Sequence, residues 1–207
     1  ALVLLMTIVL LSGGCKTEPK STTREKFKVV TTTGMIYDAV RNVAGDYVDV
    51  TALMGPGVDP HLYKATQGDL QKLTDANVIF YNGLHLEGKM GEVFDNLSKT
   101  KAVFAVTAEI PDSLLRTVEG FENTHDPHIW FDVTLWKEAV RHISKTLQQQ
   151  DTLHKSIYQQ NTTRYLQQLD SLHNQVQQRI NSIPQSQRVI ITAHDAFGYF
   201  GDAYQIE

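Results

Sequence analysis

Three histidines occupy positions where an imidazole could bind a metal ion. His61 ends the segment GPGVDPH, His128 lies within HDPHIWFD, and His194 lies within TAHDAF. Each falls in a loop or at the end of an apolar run, outside the regular apolar spacing of the predicted helices. Neutral imidazole is a common ligand for divalent transition metals, so these residues predict a metal site if the fold brings them together.

The tripeptide Asp-Pro-His occurs twice, at 59–61 and at 126–128. Proline fixes its own φ and restricts the residue before it, so a histidine at the end of such a segment loses little freedom on binding. A ligating imidazole usually needs a carboxylate or carbonyl partner for its second ring nitrogen. Asp132 and Asp195 are candidates for that partner, and both are equally compatible with helix caps.

The other five histidines have weaker claims to a metal. His142, His154 and His173 fall among polar residues within helical patterns, which predicts that they lie on solvated faces. His85 and His125 are candidates for lining the cleft or passing metal along it.

Short apolar runs alternate with helical patterns over the first half of the chain. Strands are predicted at 28–33, 48–53, 78–81 and 102–106, with helices between them near 35–43, 69–76 and 87–97. This alternation predicts an α/β fold with a parallel sheet and helices on both faces. His61 then falls beyond the carboxyl end of the second strand, where open α/β sheets bind their ligands.

The second half is dominated by helical periodicity. One helix is predicted at 134–150, and a longer apolar stripe runs over 152–183 until Pro184 ends it. A helix of about 30 residues is roughly 45 Å long, which is enough to span a whole molecule. A fifth strand is predicted at 188–193, with His194 at its end. We interpret 27–151 as one lobe, 152–183 as a rigid connecting helix and 184–207 as the incomplete start of a second lobe.

The amino-terminal segment is typical of an exported lipoprotein. Residues 1–14 combine an apolar run with small residues, as in a signal peptide that lacks its charged start. The single cysteine, Cys15, follows directly and is the predicted site of lipid attachment. The polar stretch 15–26 is predicted to be a flexible tether.

Charge and cysteine content exclude two classes of function. Nineteen Lys and Arg against 23 Asp and Glu give a formal net charge of −4, without the basic stripe that binds nucleic acid. One cysteine excludes an internal disulfide and a zinc site built from cysteines.

Four longer motifs resemble one known family, the solute-binding lipoproteins of zinc and manganese ABC transporters, which include TroA-like and ZnuA-like proteins. The motifs are GVDPHLYKATQGDL (57–70), NGLHLEG (82–88), DPHIWFDV (126–133) and ITAHDAFGYF (191–200). The resemblance extends from Phe27 to Ile206. It implies two α/β lobes joined by one long helix, with the metal bound between the lobes.

The resemblance also implies a ligand set and a function. The ligands would be His61, His128 and His194, with a fourth, carboxylate ligand beyond Glu207. The protein would be a monomer that captures metal outside the cytoplasm, is anchored to a membrane by its lipid and delivers its cargo to an ABC permease. Zinc is favoured by three imidazoles, with manganese next and iron possible. The competing interpretations are a three-histidine zinc hydrolase and a surface adhesin lipoprotein.

Overall fold

The computed structural model describes residues 26–118, Gly120 and residues 124–207. Its sheet has four parallel strands in the order β2-β1-β3-β4. They are β1 (Phe27–Thr31), β2 (Val48–Ala52), β3 (Val78–Tyr81) and β4 (Ala102–Ala105). The predicted signal segment, the lipid-attachment residue Cys15 and all but the last residue of the tether lie outside the described residues.

Helices cover both faces of this sheet, because its strands are apolar on both sides. On one face Val29 and Phe80 pack with α1 (Gly34–Ala44) and α4 (Val133–Gln150). On the other face Val30 and Ile79 pack with α2 (Gln67–Asp75) and α3 (Gly91–Ser98). Alternate residues of one strand thus belong to two different cores, and the predicted α/β class is confirmed.

The strand order creates a crevice at one edge of the sheet. The chain passes from β1 outward to β2, and then returns across β1 to β3. Ligands of open α/β proteins bind at such a switch point, outside the carboxyl ends of the strands. At this edge Thr31 ends β1 and is followed by Thr32 and Thr33, while Asn82 and Gly83 follow β3.

The long helix predicted at 152–183 is confirmed, with different bounds. Residues Thr152–His154 form a 3-10 turn, and α5 runs from Lys155 to Asn181, about 40 Å at 1.5 Å per residue. This helix packs against α4 and α1. Its buried positions, Tyr158, Thr162 and Leu169, lie in the first two thirds of its length.

The prediction of solvated histidines on these helices is wrong. His142 is only 8% exposed, because its position on α4 faces the sheet near Phe104. His154 and His173 are half-buried, and their Nδ1 atoms lie 2.6 Å from Asp151 Oδ2 and 3.1 Å from the Tyr204 hydroxyl. Helical spacing identified the correct elements but not the partners that adjoining segments supply.

The predicted strand at 188–193 is not formed as a strand. Its residues are largely exposed, and Ile191 is 95% exposed. A strand needs a partner, and among the described residues this segment pairs only with Glu207, which donates to Arg188 O (2.9 Å) and accepts from Ile190 N (2.7 Å). These two bonds have the pattern of a parallel pair. A short helix, α6 (Gly198–Tyr204), follows the segment.

Residues 88–90, 112–114, 129–131 and 185–187 form further single 3-10 turns, as do residues 45–47. Among the helices that the structure describes, none has the length and hydropathy needed to cross a membrane.

Candidate metal centre

The first histidine is held by the Asp-Pro-His turn after β2. Asp59 Oδ1 accepts a hydrogen bond of 2.9 Å from the backbone N–H of His61, which closes a local turn of the kind that Asp favours. Gly57, with φ of 80°, reverses the chain just before it. The loop is anchored beyond His61 by the Tyr63 hydroxyl, which donates to Asp69 Oδ2 at 2.7 Å.

The second Asp-Pro-His turn repeats this bond and adds another. Asp126 Oδ1 accepts from the backbone N–H of His128 at 2.9 Å, and it also lies 2.6 Å from the ring Nδ1. The His128 side chain is 7% exposed. With Nδ1 engaged by the carboxylate, Nε2 is left as the nitrogen with a free lone pair for a metal.

The His128 turn is joined to the sheet through Asn82, the residue after β3. Asn82 Nδ2 donates to the carbonyl of Pro127 at 3.0 Å. Asn82 is itself held by the buried carboxylate of Glu87, which accepts from Asn82 N (2.7 Å), from Gly83 N (3.3 Å) and from Thr32 Oγ1 (2.6 Å). One carboxylate thus ties the ends of β1 and β3 to the loop that carries His128.

The motif NGLHLEG explains how Glu87 folds back to these donors. Gly83, Leu84 and His85 all have positive φ, at 87°, 51° and 61°. A Cβ on Gly83 would lie 2.7 Å from Thr107 Oγ1, so only glycine fits the approach of this turn to the chain after β4. The motif therefore supports the His128 loop through Glu87 and Asn82. His85 itself lies outside the histidine cluster.

The third histidine is carried by the irregular segment before α6. The His194 carbonyl accepts from Ala196 N and from Thr192 Oγ1, both at 2.9 Å. The residue is exposed as a whole, although its ring points at the first two histidines. Phe197 follows it and packs on Phe131 with ring centroids 4.4 Å apart.

The three imidazoles meet at their Nε2 atoms. His128 Nε2 lies 3.2 Å from His61 Nε2 and 3.2 Å from His194 Nε2, and one ring nitrogen of each residue lies within 4.8 Å of the others. Four ligands at 2.0–2.1 Å around a tetrahedral zinc ion are separated by about 3.3 Å. The spacing around His128 therefore fits two edges of such a tetrahedron. Within the described part of the chain this is the one grouping of His, Cys, Asp and Glu with ligand spacing.

The cluster opens into a cavity of about 480 Å³ with mainly apolar walls. Met35, Trp130, Phe131 and Phe197 form much of its lining. Burial and the neighbouring His128 lower the pKa of His61. A lower pKa favours the neutral imidazole, which is the form that binds a metal.

The carboxylate partner of the ring differs from the two predicted candidates. Asp132 caps α4 by accepting from Thr134 N at 2.7 Å, which leaves it in the capping role. Asp195 is exposed and makes no hydrogen bond to His194 among the described residues. Asp126 holds the His128 ring instead. The first residue of the Asp-Pro-His tripeptide was the signal in the sequence that could have identified it.

His125 also lies apart from the cluster. Its Nε2 is 2.7 Å from Asp112 Oδ1, in a separate cavity of about 470 Å³ that His85 also lines. The structure thus brings together the three predicted ligands and neither of the two additional candidates.

A profile of the family described as "ZnuA: Zinc-uptake complex component A periplasmic" matches residues 29–207. The chain belongs to this family. Over 179 residues it is 49% identical to the zinc-binding protein TroA of Treponema pallidum, covering 86% of this chain and 58% of that protein. Over 205 residues it is 43% identical to the manganese-binding lipoprotein MntA of Bacillus subtilis, covering 99% of this chain and 66% of that protein.

The solved structure of the periplasmic zinc-binding protein TroA from Treponema pallidum has the same fold as this ZnuA-family chain. The TM-score is 0.85 at 49% identity, covering 88% of this chain and 65% of that one. The chain thus spans between 58% and 66% of the length of these relatives. The family resemblance carried by the four sequence motifs is confirmed.

Proposed function

We propose that this chain is part of an extracytoplasmic solute-binding protein that captures a divalent transition metal and delivers it to the permease of an ABC importer. The observation that carries the proposal is the convergence of three imidazole Nε2 atoms, two of them 3.2 Å from the third, at the carboxyl edge of the sheet. In this proposal the metal is cargo. His61, His128 and His194 bind it, together with a carboxylate from beyond Glu207.

Zinc is the favoured cargo and manganese the next candidate, with iron third. Three imidazoles make a nitrogen-rich site, and divalent zinc stands far above manganese in the usual order of affinity for such ligands. The relatives named above are described as binding zinc in one case and manganese in the other. Metal identity therefore has to be measured on this protein.

The remaining parts of the proposal concern anchoring and architecture. Residues 1–14 act as a signal peptide, Cys15 is acylated, and residues 15–26 tether the protein to the outer face of a membrane. Residues 27–151 form the lobe that carries His61 and His128, residues 152–183 form the connecting helix, and residues 184–207 begin the second lobe. The protein works as a monomer without enzymatic activity.

The direct test is calorimetric titration of the full-length protein with Zn²⁺ and Mn²⁺, with and without His61→Ala. We expect tight zinc binding to be lost in the variant, because the cluster loses a ligand. His85→Asn is the control, since Asn tolerates the positive φ at that position and His85 lies outside the cluster. Unchanged zinc affinity in His61→Ala removes His61 from the site.

The hydrolase alternative has a separate test. A catalytic zinc keeps an open position for water, whereas a carrier closes the site with protein ligands. Zinc-dependent hydrolysis of ester or amide substrates by the full-length protein would contradict the transport proposal, and we expect none.

A further inference from the structure

The chain that leads to His128 contains an incomplete antiparallel pairing. Thr117 and His125 form an isolated antiparallel bridge, with Asp126 N donating to Arg116 O at 2.9 Å and Val118 N donating to Thr124 O at 2.9 Å. In such a ladder Arg116 and Asp126 are opposite each other and should exchange two backbone hydrogen bonds. Only one of those two bonds is made directly.

A side chain from α6 takes the place of the second bond. The backbone N–H of Arg116 donates to the Tyr199 hydroxyl at 3.0 Å, and this hydroxyl donates to the carbonyl of Asp126 at 3.0 Å. Tyr199 is 2% exposed. Two consecutive bonds through one hydroxyl therefore hold apart two backbone groups that would otherwise bond directly.

The inserted hydroxyl joins the segments that carry two of the candidate metal ligands. Asp126 is two residues before His128 and also binds its ring Nδ1 at 2.6 Å. Tyr199 is five residues after His194, at the start of the helix that follows it. The hydroxyl therefore bonds the loop of His128 directly to the helix that follows His194.

We propose that Tyr199 is a positioning residue of the metal centre, whose hydroxyl fixes the separation of His128 and His194 and thereby slows the escape of bound metal. The inference rests on the proposed function. Removal of the hydroxyl leaves Arg116 N–H and Asp126 C=O free to bond directly. That bond would draw Asp126, and with it the His128 ring, away from its present position.

Other contacts keep α6 in place when the hydroxyl is removed. Phe197 packs on Phe131, and the Arg116 guanidinium forms an ion pair with Asp202. Gly198 lies so close to Arg116 that a Cβ would approach its Nε to 2.5 Å. Because the aromatic ring of residue 199 is retained in Tyr199→Phe, we expect this variant to fold and to keep α6 docked.

The same helix offers a matched control. Tyr204 is 3% exposed, but its hydroxyl pairs with His173 Nδ1 on α5 at 3.1 Å and does not touch the 116–126 pairing. Tyr204→Phe thus removes one buried hydroxyl from α6 without altering the Asp126 contact. Any general loosening of the helix should affect both variants equally.

The experiment loads the full-length protein and both variants with Zn²⁺ and follows zinc transfer to a chromogenic chelator by stopped flow, at a temperature where all three are fully folded. We expect about tenfold faster release from Tyr199→Phe, because the displaced His128 ring holds zinc less tightly, by roughly the factor that one hydrogen bond contributes. Tyr204→Phe should release zinc within about twofold of the unaltered protein. The NMR signal of the His128 Nδ1 proton should shift only in Tyr199→Phe.

The possible results separate a positioning role of Tyr199 from general loosening of α6. An unchanged release rate and an unchanged His128 signal in Tyr199→Phe overturn the positioning role, while zinc binding by the unaltered protein leaves the proposed function intact. Equal acceleration in both variants also overturns the role, because it indicates general loosening of α6. If the unaltered protein binds neither Zn²⁺ nor Mn²⁺, the proposed function and this inference fail together.

Discussion

His128 and His194 have their Nε2 atoms 3.2 Å apart, yet the segments that carry them are stabilised in different ways. The His128 side chain is 7% exposed, and its loop is bonded to the end of β3 through Asn82. His194 is exposed and follows a run in which Ile191 is 95% exposed. The first segment is fixed by the sheet, and the second is held by a few contacts from α6 and its neighbours.

The ligands of the proposed metal site are therefore held unequally. His61 and His128 lie in loops whose turns are closed by Asp59 and Asp126, and the His128 loop is also bonded to Asn82. Within these 207 residues, the segment that carries His194 has few buried apolar side chains. The predictions below test that contrast, from the largest expected effect to the smallest.

The sharpest contrast is between two isoleucines. Ile79 of β3 is fully buried against the helices α2 and α3. Ile79→Ala should therefore lower the free energy of unfolding by about 2–5 kcal/mol. Ile191→Ala in this 207-residue chain should change it by no more than about 0.5 kcal/mol. Urea denaturation followed by circular dichroism measures both. Comparable losses at the two positions would remove the distinction between the segments.

The second contrast concerns two carboxylates, one beside each histidine. Asp126→Asn removes the charge that holds Nδ1 of His128, and it should weaken zinc binding by about 10- to 100-fold, as is usual for such partners. Asp195→Asn should leave zinc binding within about twofold, because the hydrogen bonds of His194 to described residues do not involve Asp195. Calorimetry with the full-length protein compares them. A larger loss of zinc affinity in Asp195→Asn than in Asp126→Asn would show that the carboxylate beside His194 supports the site.

Asp132 provides a test of stability without metal. Its side chain caps α4 through Thr134 N, so Asp132→Ala should cost about 1 kcal/mol of folding free energy. Zinc affinity of the folded variant should remain that of the unaltered protein. Thermal denaturation and calorimetry on the same sample measure stability and zinc affinity separately. A loss of zinc affinity without a loss of stability would show that Asp132 acts on the metal site.

The smallest effect is expected for Glu87. Burial raises the pKa of its carboxyl, although hydrogen bonds from Thr32, Asn82 and Gly83 oppose the shift. A carboxyl with a raised pKa in the folded state favours folding at low pH, and that contribution is lost as the pH rises through the folded pKa.

Glu87→Gln removes this titration. The stability of the variant relative to the unaltered protein should therefore increase with pH, by on the order of 1 kcal/mol or less between about pH 4 and pH 7. Urea denaturation across this range gives the difference, and a constant difference at every pH would show that Glu87 does not titrate there.

The sequence by itself determined the elements and the ligand types. Apolar runs such as VIFY at 78–81 located the strands, because a strand buried on both faces needs uninterrupted apolar residues. The spacing over 152–183 located the long helix. The repeated Asp-Pro-His tripeptide and His194 identified the three imidazoles that the structure brings together.

Tertiary structure decided which side chains are buried and which partners they bond, where those partners lie in distant segments. The burial of His142 beside Phe104 and the insertion of the Tyr199 hydroxyl between Arg116 and Asp126 depend on such contacts. The choice of Asp126 over Asp132 as the partner of the His128 ring is local, since each carboxylate bonds a residue two positions ahead. The segment 188–193 is strand-like in sequence, but a strand also requires a partner to satisfy its backbone groups. Local spacing encodes which residues can form an element or bind a metal, whereas their partners come from segments up to 127 positions away along the chain.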